Sequence, residues 1–124
     1  MNLVDSCGWL EYLADGSNAD FFAPVLENTV NLLVPSLCMF EVFKRVLQQK
    51  DEDLALQAVA LMKQGKVVDL TESIALQAAK ISCDLRLPMA DSIILATARE
   101  YEAVLWTQDG DFEGVEGVRF VGKG

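Results

Sequence analysis

Three carboxylates lie in stretches of the sequence that are otherwise apolar and that the hydrophobic pattern predicts to be buried. They are Asp5, Glu41 and Asp91, and each is the only charged residue over at least ten consecutive positions. An unpaired buried carboxylate costs on the order of several kcal/mol. A divalent cation could compensate all three, and a set of oxygen ligands favours Mg²⁺ or Mn²⁺ over zinc. These residues therefore indicate a metal site and metal-assisted hydrolysis.

Simpler explanations exist for the same three carboxylates. Lys44 and Arg45 lie three and four positions after Glu41, so a salt bridge along one helix could neutralise it. Asp5 and Asp91 have no basic residue within four positions. Asp5 could instead serve as the N-cap of a helix that follows it. Separate salt bridges and helix caps therefore stand beside the metal site as alternatives.

The composition excludes several chemistries. The sequence has no histidine, which rules out Ser-His-Asp and Cys-His nucleophiles and any histidine metal ligand. The net charge of −9 argues against broad, nonspecific binding of nucleic acid and predicts affinity for a basic partner. Lys44, Arg45 and Lys50 lie on the helix predicted to carry Glu41, where they could bind RNA phosphates or form a solvated polar face.

The three cysteines, Cys7, Cys38 and Cys83, are widely spaced, odd in number and outside any C-x-x-C motif. We expect three small apolar side chains and no structural disulfide. The N-terminus lacks a basic region, and no uncharged apolar stretch reaches the roughly 18 residues that a bilayer requires. We expect a soluble, cytoplasmic protein.

Short apolar strands alternate with helical patterns along the whole chain. Strands are predicted at residues 2–5, 31–34, 66–70, 103–107 and 118–121. Helices are predicted to start at Ser6, after a turn at residues 14–17, at Ser36, near Asp51, after Thr71 and at Pro88, with Ser6, Ser36 and Thr71 as N-caps. This alternation predicts a single α/β domain over residues 1–124, with a parallel sheet covered by helices. Ligands bind beyond the carboxyl ends of such strands, which places Asp5 and Asp109 at the functional edge.

Four segments, taken together in this order and spacing, carry a family resemblance. They are NLVDSCGWLEYL, VPSLCMFEVFKRV, LPMADSIILATA and LWTQDGDFEGVEGV. With them the chain resembles PIN-domain proteins over essentially its whole length, and among these the VapC-type toxin ribonucleases of toxin–antitoxin pairs. The resemblance implies a PIN-like three-layer sandwich, with a central, mainly parallel sheet of four to five short strands flanked by helices.

The resemblance also implies roles for individual residues. It assigns the first three acids of the family to Asp5, Glu41 and Asp91, as catalytic residues and metal ligands. The fourth is Asp109, which directly follows the strand and its threonine, or Asp111, two positions later; we favour Asp109. Two further residues, Ser6 and Thr107, are predicted either to support the ligands by hydrogen bonds or to act only as capping and strand-end residues.

The implied activity is a Mg²⁺- or Mn²⁺-dependent endoribonuclease that leaves a 5′-phosphate and a 3′-hydroxyl. The implied partners are an RNA substrate, a second copy in a homodimer and a cognate antitoxin. A non-catalytic PIN-like scaffold that binds RNA or protein is the alternative. A receiver-like phosphoacceptor domain fits less well, because the first strand has one acid rather than a pair and Lys123 comes too late.

Aromatic residues are predicted to pack mainly in the core. Trp9 and Phe112 could stack a base, but core packing is favoured for both. The sequence also predicts core positions for Phe21, Phe22, Phe40 and Phe43, with some surplus for a dimer interface or an antitoxin helix.

Overall fold

The computed structural model describes residues 1–123. Its described residues form five strands and six α-helices, with 3-10 turns at Thr29–Asn31 and Gly110–Phe112. The elements, in chain order, are β1 (Asn2–Val4), α1 (Ser6–Leu13), α2 (Ala19–Glu27), β2 (Leu32–Pro35), α3 (Ser36–Gln49), α4 (Glu52–Met62), β3 (Lys66–Val68), α5 (Glu72–Leu85), α6 (Met89–Glu100), β4 (Val104–Thr107) and β5 (Val118–Phe120).

All five strands are parallel, and their order across the sheet is β3-β2-β1-β4-β5. The first two crossovers step from β1 to β2 and on to β3, whereas the third returns across the sheet to β4. The stepping direction therefore reverses between β1 and β4, which is where open parallel sheets bind their ligands. Val4 pairs with Trp106, so Asp5 and Thr107 come next at the same edge.

Right-handed crossovers place α1 to α4 on one face of the sheet and α5 and α6 on the other. This is the predicted three-layer α/β sandwich. The central strands are buried on both faces: Leu3, Val4, Leu33, Val34 and Leu105 are all inaccessible to solvent. That burial explains why these strands read as continuous apolar runs rather than as alternating ones.

Helix α1 packs unusually closely against its neighbours at Gly8. A Cβ atom at that position would lie 2.5 Å from Val4 Cγ1 and 2.7 Å from Phe22 Cε1. Only a residue without a side chain lets the helix approach β1 and α2 this closely. Because α1 begins directly after Asp5, this contact also fixes where the carboxylate of Asp5 lies.

Two of the predicted helix caps are wrong and one is right. Thr71 caps α5 by accepting a hydrogen bond from the Ile74 amide at 3.2 Å. Ser6 and Ser36, however, are the first residues of α1 and α3, and the N-caps are Asp5 and Pro35. Asp5 replaces Ser6 as the cap because its own carboxylate accepts from the Ser6 amide at 2.8 Å.

The aromatic predictions divide in the same way. Trp9, Phe22 and Phe112 are buried in the core, as predicted. The core assignment of Phe40 is wrong, since 61% of its surface is exposed. The buried side of α3 is formed by Cys38 and Val42, and Phe40 lies on the opposite side of the helix.

Among residues 1–123, none of the helices combines the length and the apolar character that a membrane-spanning helix needs.

Candidate metal centre

Asp5 lies where β1 ends and α1 begins, and only 3% of its surface is exposed. Its amide donates to the carbonyl of Trp106 at 3.0 Å, which continues the pairing of β1 with β4 by one residue. Its carboxylate accepts from the Ser6 amide at 2.8 Å and from the Thr107 hydroxyl at 2.9 Å. Its position at the first turn of α1 adds the favourable partial charge of a helix N-terminus.

Thr107 connects Asp5 to the loop after β4. Its hydroxyl, fully buried, donates to Asp5 Oδ2 and accepts from the Asp109 amide at 3.0 Å. One hydroxyl group therefore sets the distance between the two acids at the ends of neighbouring strands. Thr107 therefore hydrogen-bonds to two of the predicted site residues, and its supporting role in the site stays a prediction.

Asp109 and Asp111 have different places in this loop. Asp109 is partly buried, and its Oδ1 accepts from the Asp111 amide at 3.0 Å. The side chain of Asp111 is exposed. One carboxylate oxygen from each of Asp5, Asp91 and Asp109 lies within 4.8 Å of the other two. The structure therefore brings Asp109, and not Asp111, into the group of three.

Asp91 reaches the group from the other layer, in the first turn of α6. Burial, followed by the charges of Asp109, Asp5, Asp111 and Glu41, raises the pKa of Asp91 to about 7. The N-terminus of α6 favours a carboxylate, so burial and the neighbouring acids outweigh it. Burial and neighbouring acids all raise this pKa, and no lysine or arginine within residues 1–123 offsets them.

The pKa of Asp5 is raised as well, and burial is the main cause. Hydrogen bonds from Thr107, Ser6 and Cys7 oppose the shift, because they stabilise the charged form, while the charge of Asp109 adds to it. Neither salt bridges nor capping alone accounts for three carboxylates this close together. The cap at Asp5 is real, but it leaves Asp91 without compensation.

Glu41 lies near the group but outside it. It projects from the middle of α3 and is half-buried, and its Oε1 is buried without a hydrogen-bond partner. Burial raises the pKa of Glu41, the Ser6 hydroxyl lowers it and the charge of Asp5 raises it. Neither Lys44 nor Arg45 is among the causes of that shift, so the salt bridge that the helix spacing allowed does not neutralise Glu41.

The donor set of the group of three fits a hard divalent cation. Its ligand atoms are all carboxylate oxygens, they converge from three different segments, and their mutual repulsion is uncompensated by any basic side chain. A cation bound among them would remove that repulsion and lower the pKa of Asp91 again. The arrangement can therefore hold a metal ion that prefers oxygen ligands.

Cys7 is a contact of the site that the sequence did not reveal. Its thiol lies 3.5 Å from Asp5 Oδ2 and 3.3 Å from the Thr107 hydroxyl oxygen. Burial and the charge of Asp5 raise the pKa of Cys7 to about 12, so the thiol stays protonated beside the carboxylate. The one signal in the sequence was its position two residues after Asp5. The other two cysteines are also free, but Cys83 is exposed rather than packed.

The basic residues predicted to bind RNA lie in two places. Lys44 and Arg45 line an open cleft of about 340 Å³ on α3, together with Glu41. Lys50 follows the end of α3 and lines a separate, largely apolar groove between α1, α3 and α4. Two of the three cations therefore share a cleft with Glu41, and the third lies in a different groove.

Solved structures with the same fold include a toxin–antitoxin complex from Klebsiella pneumoniae, with a TM-score of 0.79, 22% identity and 96% of each chain covered. VapBC2 from Rickettsia felis, bound to a DNA fragment from their promoter, gives a TM-score of 0.74 at 12% identity, covering 98% of this chain and 97% of that one. VapC20 from Mycobacterium tuberculosis, described as a sarcin-ricin loop cleaving toxin, gives 0.73 at 17%, covering 94% and 95%.

At these identities the solved structures establish a shared fold. No curated protein sequence matches the chain. The family model of the PIN domain, however, matches residues 3–118, and this range contains Asp5, Glu41, Asp91 and Asp109. The chain belongs to the PIN domain family.

Proposed function

We propose that the chain is a metal-dependent endoribonuclease and the toxin of a toxin–antitoxin pair. The observation that carries this proposal is the convergence of Asp5, Asp91 and Asp109, whose carboxylate oxygens lie within 4.8 Å of one another. Their place at the reversal point of the sheet, within a PIN domain, supports the same activity.

The proposed cofactor is Mg²⁺ or Mn²⁺, held by Asp5, Asp91 and Asp109. Such an ion, when bound, activates water and stabilises the charge that develops on the scissile phosphate. The chain supplies the geometry: Ser6 and Thr107 hold the two oxygens of Asp5, and Thr107 also holds the backbone of Asp109. These bonds keep the ligands in place before substrate binds, and the ligands need not reorganise during the reaction.

Glu41 has a separate role in this proposal. Its unpartnered Oε1 and its raised pKa suit a carboxylate that accepts a hydrogen bond from water and then takes up a proton. With no histidine in the sequence, that proton must go to a carboxylate or to bulk water. We therefore assign Glu41 to positioning the attacking water rather than to direct ligation.

The proposed partners follow from the relatives and from the charge. The solved structures with the same fold include a toxin–antitoxin complex from Klebsiella pneumoniae and VapBC2 from Rickettsia felis bound to promoter DNA. A net charge of −9 on this chain suits a basic antitoxin segment. The groove between α1, α3 and α4, lined by leucines and Val46, offers an apolar surface for it. We also propose a homodimer, and action on RNA in the cytoplasm.

Cleavage of a structured RNA in Mg²⁺, in Mn²⁺ and in EDTA tests the proposed activity. We expect cleavage by the wild type in either metal, and none in EDTA or with Asp5→Asn. Asp69→Asn is the matched control, because Asp69 is an exposed acid just after β3, outside the group of three. RNA binding without cleavage by the pure wild-type protein in both metals would favour the non-catalytic scaffold instead.

A further inference from the structure

Phe40 is the one exposed aromatic side chain among residues 1–123. Of its surface 61% is accessible, whereas Trp9, Phe22 and Phe112 are buried and the other aromatic residues are at least partly covered. It directly precedes Glu41 on α3. Because α3 buries Cys38 and Val42 in the core, Phe40, on the opposite side of the helix, faces solvent.

The surroundings of Phe40 are polar and basic. The cleft of about 340 Å³ on α3 is lined by Phe40, Glu41, Lys44, Arg45 and Gln48. These positions are one and four residues apart, so they form two neighbouring rows along one side of the helix. The ammonium group of Lys44 lies 5.7 Å from the centre of the Phe40 ring. An aromatic ring and two cations therefore share one open surface.

This surface is continuous with the carboxylates. Helix α3 begins directly after β2, the strand paired with β1, and it contacts α6, which carries Asp91. Glu41, in the second turn of α3, lines the cleft. A phosphate chain that crosses the group of three can therefore extend along α3 past Glu41 to Lys44 and Arg45. The net charge of the chain is −9, so most of its surface repels phosphate groups. The adjacent side chains of Lys44 and Arg45 form a local basic patch that can bind them.

A protein partner fits this cleft less well than a nucleotide does. Phe40 is its only apolar lining residue. The groove between α1, α3 and α4 is different, with Leu10, Leu13, Val46 and Leu54 among its lining residues. Apolar helices bind in grooves of the second kind. Single-stranded nucleic acids bind surfaces that combine aromatic rings with cations.

We propose, as an extension of the proposed ribonuclease function, that Phe40 stacks on an unpaired base of the RNA next to the scissile phosphate, while Lys44 and Arg45 bind the phosphates that follow. The contact requires an accessible base, which a continuous duplex does not offer. Because every base has a π-face, this contact selects for an unpaired nucleotide more than for its identity.

Equilibrium binding in EDTA, where no cleavage is expected, tests the contact. The probe is a fluorescein-labelled single-stranded RNA of about ten nucleotides, compared with a duplex of the same length. Phe40→Ala should weaken single-strand binding about tenfold and duplex binding by less than twofold. Phe40→Trp should restore the affinity, and its fluorescence should be quenched by stacking. Leu76→Ala is the control, since Leu76 is 66% exposed on α5.

The outcomes separate this inference from the proposed activity. If Phe40→Ala binds single strands like Leu76→Ala, the stacking contact is wrong even when the wild type cleaves RNA. If the wild type never cleaves but its binding depends on Phe40, the stacking contact stands and the ribonuclease proposal fails. If Phe40→Ala changes only the oligomeric state seen by light scattering, the cleft is a protein interface and the inference is overturned.

Discussion

The carboxylates come from two parts of the molecule that hold them in opposite ways. Asp5 and Asp109 lie at the ends of β1 and β4, where Ser6, Cys7 and Thr107 hydrogen-bond to them. Asp91 and Glu41 project from α6 and α3. Burial and neighbouring acids raise the pKa of Asp91 to about 7, and Glu41 Oε1 has no partner.

The contrast is between carboxylates that the protein holds in place by hydrogen bonds and carboxylates that it leaves without a compensating charge. On the sheet side, hydrogen bonds within the protein hold Asp5 and Asp109, so the positions of these two residues do not depend on a ligand. On the helix side, the charges of Asp91 and Glu41 are left uncompensated, and a cation bound at the proposed site would stabilise them. We therefore expect that the repulsion among these acids lowers the stability of the metal-free protein and that metal binding would restore it.

The largest effect is expected for catalysis by Asp91→Asn. The substitution removes a charged ligand, so RNA cleavage should fall by at least about a hundredfold in Mn²⁺. Gel analysis of cleavage at matched protein concentrations measures it. The exposed Asp69→Asn should stay within a few-fold of wild type. If Asp5→Asn were inactive and Asp91→Asn active, the helix side would not belong to the site.

Thr107→Val tests the sheet side. The change keeps the shape of the side chain but leaves buried Asp5 and the Asp109 amide without their shared hydroxyl. The free energy of unfolding should fall by about 1–3 kcal/mol, as measured by urea denaturation in EDTA. Thr97→Val is the matched control, since Thr97 is equally buried but its hydroxyl bonds only to the Ile93 carbonyl within α6. Equal losses in both variants would contradict a special role for Thr107.

The pH dependence of stability tests the helix side. The pKa of Asp91 is about 7 in the folded protein and about 4 when unfolded, so the folded state binds the extra proton. The free energy of unfolding without metal should therefore fall as pH rises from about 4 to about 7. The raised pKa values of Asp5 and Glu41 act in the same direction.

Thermal melting in EDTA and in Mn²⁺ across this range measures the effect. Asp91→Asn should melt a few degrees higher than wild type in EDTA at pH 7.5, and its melting temperature should depend less on pH. Mn²⁺ at a hundred times its Kd should stabilise the wild type by about 2.7 kcal/mol and Asp91→Asn much less. A wild type indifferent to Mn²⁺, with Asp91→Asn less stable in EDTA, would mean that these acids hold no metal.

Glu41→Gln should give the smallest changes in stability and in Mn²⁺ affinity. The charge of one acid, Asp5, raises the pKa of Glu41, whereas the charges of four acids raise the pKa of Asp91. Its replacement should raise the melting temperature in EDTA by less than Asp91→Asn does. Isothermal titration should show Mn²⁺ affinity close to wild type, because Glu41 lies outside the group of three. A loss of Mn²⁺ affinity as large as that of Asp91→Asn would make Glu41 a direct ligand.

Sequence reasoning reached the fold because its signals are local. The central strands are buried on both faces, so they appear as apolar runs, and each is followed by a helical pattern. The same reasoning singled out Asp91, since a lone acid among apolar residues is visible in one dimension. It could not choose firmly between Asp109 and Asp111, because the pairing of β4 with β1, which decides which acid faces Asp5, is a long-range property.

Other features depend on three-dimensional packing that hydrophobicity does not encode. Phe40 fits the apolar pattern of α3 but lies on the side that no other element covers. In the sequence Cys7 is indistinguishable from a small apolar core residue. Its contact with Thr107 at the end of β4 depends on the pairing of two strands that are far apart in the chain. The predicted N-caps of α1 and α3, Ser6 and Ser36, lie one residue after the observed ones. The preceding residues, Asp5 and Pro35, have the non-helical backbone that an N-cap needs.

The bond between Thr107 and Asp5 joins residues 102 positions apart in the chain. At a synthesis rate of about 5–20 residues per second, roughly 5 to 20 seconds separate the addition of these two residues on the ribosome. During that time α1 can form, but Asp5 has neither its threonine partner nor Asp109 beside it. A nascent chain therefore cannot assemble its group of carboxylates until Thr107 and Asp109 have been added and have left the ribosome, which separates the formation of this group in time from the synthesis of β1.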